Sequence, residues 1–220
     1  MIPVNPTDEP LNFEVKVRVP GHRALAEMVG EKPEPPRPKG KAFKKVANRR
    51  EDIPSKEFPT YWTEAIREML LAYNRICADS CFRIHRVTGA ASIDHMAPKS
   101  RRWDQVYEWS NYRLASSRMN ARKNDFEDIL DPFTIQAGWF QLHEFGFAMC
   151  ANPVLSQHLI DRIDKTIERL KLNDEFHLEQ REEDVNKYLD GDWTLKELIQ
   201  QSPFVAMELR RHGRLRRGDR

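Results

Sequence analysis

The feature that most constrains this chain is a short run of small, β-tolerant residues, Ala90 to Met96, that enters a proline at position 98. Proline pushes the residue before it out of the helical region, so the run predicts a strand giving way to a loop, with Asp94 and His95 at its end. Neighbouring strand residues point to opposite faces. Asp94 can then hold a cation while His95 addresses a substrate.

Downstream, Tyr112 to Asp125 mixes Leu114, Ala115 and Met119 with Arg113, Arg118, Arg122 and Lys123. This pattern predicts an amphipathic helix with a basic face, capped by Ser110 or Asn111. On it Asn120 and Asn124 fall one turn apart, with Lys123 beside them. A strand bearing Asp-His, a loop containing Asn111 and a helix delivering Asn120 can enclose a hard divalent cation. Asp94 and Asn120 supply oxygen ligands, Asn124 is a further candidate, and water and a phosphate oxygen complete the shell. The set holds no thiolate and no second imidazole, which favours Mg2+ or Mn2+ over zinc. The chemistry expected is phosphodiester hydrolysis: neutral His95 takes a proton from the attacking water and the cation stabilises the departing oxygen. Asn111 acts through structure, hydrogen-bonding across the loop to hold His95.

From about Arg75 to Asp125 the chain resembles the HNH endonucleases of the ββα-metal class. Asp94-His95 comes first, then Asn111 in a Trp-Ser-Asn-Tyr-Arg-Leu context, then Asn120 nine residues on, followed by Arg122-Lys123. The resemblance implies that His95 is the general base, that Asp94 and Asn120 are metal ligands and that Asn111 fixes the loop. Asn124 stands where some members place a second ligand. Many members also carry two Cys pairs around a structural zinc. Here Ser116 and Met119 occupy the second pair's positions, and a chain with only three Cys cannot form a four-Cys site. Cys77 and Cys81 are read as buried thiols. The resemblance extends to Tyr107-Glu108 and Asp131-Pro132-Phe133. It points to bacterial stand-alone HNH proteins, some tied to restriction or anti-phage defence, in which a partner such as an ATPase supplies targeting. The fold implied is α+β, a ββα core with a preceding helix and a C-terminal helical extension.

Charge is segregated although the formal net is only +2. Basic residues crowd into Lys32 to Arg50, the central motif and the C-terminal tail, while Asp161 to Asp192 is net acidic. Such segregation suits a basic face that meets a polyanion. Phosphate contacts, which set register without reading bases, are expected from Lys99, Arg101, Arg118, Arg122 and Lys123. DNA is the expected substrate. The alternatives are an HNH-like scaffold that binds nucleic acid or a partner without cleaving, and an RNase or toxin nuclease using the same site. No signal-like start and no bilayer-length apolar run is present, so the expectation is a cytoplasmic protein with reduced thiols and no membrane contact.

Three stretches are distinguished: a Pro-rich basic arm (1–58), the nuclease core (59–150) and a helical region ending in the basic tail (151–220). In the arm, Phe13 to Val19 alternates as a short strand or extended segment would, His22 to Val29 suits a brief helix, and Glu31 to Gly40 suits a linker. A helix is expected from Pro59 to about Asn74. Phe82 to Arg86 is expected as the hairpin partner of the Asp-His strand. Gly138 to Leu142 and Phe145 to Met149 read as a second strand pair. Helices follow from Pro153, with Leu159, Ile163, Ile167 and Leu170 on one face, and Ser202-Pro203 opens the last.

Overall fold

The computed structural model describes residues 1–144 and 146–219 as an α+β protein. At its centre, strand β1 (Ala91–His95) pairs antiparallel with β2 (Tyr112–Ser116), and β2 runs directly into a short helix (Ser117–Lys123; α3 below). The register sets Asp94 opposite Arg113 and His95 opposite Tyr112. Two expectations change here. The partner of β1 is not Phe82 to Arg86, whose backbone goes elsewhere: Ile84 N–H donates to Arg75 O and Arg83 N–H to Gln201 O. Nor does the helix begin at Tyr112. Tyr112 to Ala115 are all buried, and a short strand buried on both faces carries no alternation to separate it from helix. The helix starts only where Ser116 caps it, its hydroxyl accepting from Met119 N–H at 3.3 Å.

Before this unit, helix α1 (Val19–Val29) continues from a widened π-type stretch, Glu14–Arg18. The expected strand at Phe13 to Val19 is therefore helical. Phe13 and Val17, four apart, are buried while Val15 is exposed. The apparent alternation served only one helical face, on which the Phe13 ring meets Trp109 and Tyr112 edge-on at 5.6 and 5.7 Å. Pro20 brings no N–H and crowds the preceding turn, and the widened stretch lies immediately before it. Gly21 packs under Tyr107, where a Cβ would lie 2.3 Å from the ring. Where one helix is expected from Pro59, a 3₁₀ stretch (Tyr61–Ala65) that buries Trp62 and Ala65 leads into helix α2 (Ile66–Ala72), which buries Met69. Asn74 and Arg75 then take positive φ, and the Arg75 guanidinium donates to Ile84 O, tying the intervening turn together.

Beyond the central unit, β3 (Phe140–Leu142) pairs with β4 (Met149–Ala151). The second strand thus begins at Met149 rather than Phe145, a residue that lies outside the described ones. Four helices complete the chain: α4 (Gln157–Leu170), α5 (Glu175–Leu189), α6 (Leu195–Gln201) and α7 (Pro203–Arg211). The predicted face of α4 is buried at Ile163, Ile167 and Leu170. Helix α6 opens with a capping box between Thr194 and Glu197, and α7 with Pro203 at its first position. Met1, Phe13, Leu114 and Leu209 belong to one continuous apolar core that draws on all three stretches of the chain. No described helix is long and apolar enough to cross a membrane.

Candidate functional site

Residue alternation along β1 separates its two polar ends. Ser92 and Asp94 face helix α3, whereas Ile93 and His95 face the aromatic side of the core. Asn120 and Lys123, three apart on α3, both reach back to β1. The Asn120 amide nitrogen donates to Ser92 Oγ at 2.6 Å and to Ile93 O at 3.2 Å. A backbone carbonyl only accepts, which fixes the amide's orientation and leaves its oxygen without a hydrogen bond among the described residues. The Lys123 ammonium donates to His95 O at 2.8 Å and stands 3.3 Å from the Asp94 carboxylate.

Asp94 is 2% exposed. Burial pushes its carboxyl up, and Lys123 and then Arg113 pull the other way. Asp79, from the turn between Cys77 and Cys81, is equally buried, and its Oδ2 has no partner among the described residues. Its carboxyl is also held above the ordinary range, first by burial and then by the charge of Asp94. Arg113, buried on β2, closes a two-pronged pair with Asp131 at 2.7 and 2.6 Å and stacks on Phe133. Three carboxylates and two cations thus lie beneath the sheet. Lys123 and Arg113 match two of these carboxylates, and Asp79 is left as the third.

His95, at 6% exposure, lies on the opposite face. Its ring meets Trp62 at 5.0 Å and Tyr112 at 5.1 Å, both edge-on. Nε2 is 3.0 Å from Val106 O, so Nε2 carries the proton and Nδ1 presents the lone pair. Burial, then the nearby Lys99 charge, lower its pKa from 6.5 to about 3. Lys99 lies over the Trp62 ring, its ammonium 4.2 Å from the centroid.

The loop between the strands is pinned by one side chain. Asn111 Oδ1 accepts from Ala97 N–H at 2.7 Å, and its amide nitrogen donates to Ala97 O and Gln105 O. It clamps the chain just after His95 to the segment carrying Val106 O, the imidazole's own acceptor. The expected loop-fixing part of Asn111 is thus visible in its contacts.

Other expected residues sit differently. Lys123 is fully buried and Arg122 is committed to Asp174, Leu170 O and Lys171 O, so neither presents a free charge to a phosphate. Asn124 leaves the helical line as the cap of α3, at φ 49°, and is exposed rather than stacked one turn beyond Asn120. Arg118 is exposed over Phe176, and Arg101 is exposed but paired with Glu127 at 2.9 Å. Cys77 and Cys81 are free, buried thiols, and burial pushes Cys77 up to about 11. Sequence reasoning missed Trp62, Asp79 and the Arg113–Asp131 pair. Trp62 stood in the expected helix after Pro59 as one apolar residue among several, and nothing local marks Asp79 as a neighbour of Asp94.

A hard divalent cation fits the donors on the α3 side in kind: one buried carboxylate and one unengaged amide oxygen. Among the described residues, no group of three or more His, Cys, Asp or Glu side chains is placed so that it could hold a metal ion by itself. The chain would therefore supply few ligands, the mode in which magnesium keeps water and substrate oxygens. Compared with known proteins, the chain matches no family model and no curated protein.

Proposed function

We propose that the β1–β2–α3 unit is a phosphodiester-hydrolysing centre of HNH type acting on DNA. The observation that carries this reading is that three elements meet on β1: the Asn111-clamped loop at its end, the Asn120 amide of α3 on the Asp94 face, and His95 on the other face. Asp94 and Asn120 would hold Mg2+ or Mn2+, which when bound polarises phosphate oxygen and stabilises the departing one. His95 is neutral near pH 7, and its Nδ1 takes the proton of the attacking water. Burial makes the imidazole a weak acceptor, and an incoming phosphate charge raises its proton affinity. Val106 O and Asn111 hold the ring in the tautomer this requires. Lys99 supplies positive charge on the imidazole side. Targeting by a partner ATPase rests on the sequence resemblance alone.

A second reading, a scaffold that binds nucleic acid without cutting it, is favoured by the cover Trp62 places on His95 and by the ammonium already beside Asp94. Plasmid nicking with added Mg2+ or Mn2+ separates the two, run on wild type, His95→Ala and Asp94→Ala, with an RNA substrate alongside. The nuclease reading expects metal-dependent DNA cleavage lowered at least about 100-fold by His95→Ala, the scale of a missing general base. Equal activity in wild type and His95→Ala would reject it.

A further inference from the structure

The basic segment before residue 50 is not used by the proposed chemistry, yet it is built into the molecule beside it. Glu27, buried on α1, fixes it from two directions. Its carboxylate takes both prongs of Arg37 at 2.9 and 2.7 Å and the Phe43 N–H at 2.8 Å. Arg37 stacks on Phe43, Val46 N–H donates to Met28 O at 2.8 Å, and the Lys45 stem lies over Gly30. Between these anchors Lys39, Lys41, Lys44 and Lys45 are exposed. None has a carboxylate partner among the described residues, although neighbouring surface arginines do: Arg49 with Glu51, Arg50 with Glu31, Arg102 with Asp104.

The segment lies against two residues that flank the candidate site, Tyr61 and Trp103. Arg37 stands against Tyr61, the residue before the Trp62 that covers His95 and carries Lys99. At its far end the Arg50 guanidinium lies over Trp103, in the loop that leaves β1. We infer that Lys39, Lys41, Lys44 and Lys45 form, with Lys99, a fixed cationic track that binds the nucleic-acid backbone flanking the bond at His95. The occupant is a polyphosphate backbone because the track offers several unpaired ammonium groups and no partner anions. Lysine serves as a point charge for phosphate without reading sequence. The inference rests on the nuclease reading for what the bound strand is positioned against, but not for binding itself.

The test is fluorescence anisotropy of a labelled oligonucleotide duplex in EDTA, over a series of salt concentrations. It compares wild type, the quadruple Lys39→Gln, Lys41→Gln, Lys44→Gln, Lys45→Gln variant, and the same four positions as Arg. The four side chains are exposed, and unchanged thermal unfolding verifies that the variants are folded. Each lysine–phosphate pairing that is removed flattens the slope of log K against log salt by about 0.9, so the Gln variant's slope should flatten by roughly 2 to 4 and its binding weaken on the order of 100-fold or more near 0.1 M salt. The Arg variant should keep the wild-type slope. An unchanged slope in the Gln variant overturns the inference, as does absence of oligonucleotide binding by wild type or binding to anionic vesicles instead. Wild-type binding with the expected slope but no cleavage in Mg2+ or Mn2+ overturns the nuclease reading and leaves the track standing.

Discussion

Replacing Lys123 by Met tests whether the ammonium is the internal counter-charge that lets Asp94 be buried. The stem volume is nearly kept, so the change removes a charge rather than opening a cavity. The side chains of the pair are 0% and 3% exposed, so solvent does little to screen them. Breaking a buried pair from one side costs about 3 to 5 kcal/mol, because the surviving carboxylate is left uncompensated. Asp79 stands near enough to add repulsion, and His95 O loses its donor. For a chain of this size the melting temperature should fall by roughly 6 to 20 °C. The sign of the pH dependence follows from direction alone. Lys123 lowers the Asp94 pKa, so removing it raises that pKa further above the unfolded value. A carboxyl raised in the folded state favours folding while protonated and loses that contribution as pH climbs through the folded pKa. The gap between variant and wild type should therefore be smallest near pH 5 and widen toward pH 8, as followed by circular dichroism melting. Asp94→Asn in the same chain should recover much of the loss, since no lone charge remains. Arg101→Met, at the exposed pair with Glu127, should cost under about 1 kcal/mol. A Lys123→Met shift no larger than that of Arg101→Met, or a gap indifferent to pH, would refute the account.

Trp62→Ala should uncover His95, so its imidazole titration, followed by NMR, moves up from about 3 toward the ordinary 6.5. A histidine depressed in the fold withholds stability as pH falls from 6.5 toward the folded value, and this acid sensitivity should be smaller in the variant; an unmoved titration would mean that Trp62 does not provide the burial. Arg122→Ala should destabilise the α4–α5 junction by about 1 to 3 kcal/mol, since Leu170 O, Lys171 O and the Asp174 carboxylate each lose one donor. It should leave the salt slope of nucleic-acid binding unchanged; a slope reduced by about one would restore Arg122 to the phosphate-binding role expected from sequence.

Local chemistry made several parts of this protein legible in its sequence. The Asp-His end of β1 could be read from small residues leading into a proline, the α4 face from its 3.6-residue period, and the α7 start from Ser202-Pro203. Asn111 was singled out from its place between the Asp-His run and the following basic segment, and its hydrogen bonds do cross that loop. Tertiary structure decided what one-dimensional pattern leaves degenerate. Tyr112 to Ala115 is buried on both faces, so no period marks it as strand, and only pairing with Ala91–His95 makes it one. Phe13 to Val19 alternates as a strand does, yet the core accepts only Phe13 and Val17. Lys123 looked like a surface cation until the fold placed it over Asp94. Desolvation depends on what packs around a charge, and residues distant in the chain do that packing: Asp79 and Lys123 around Asp94, Trp62 around His95.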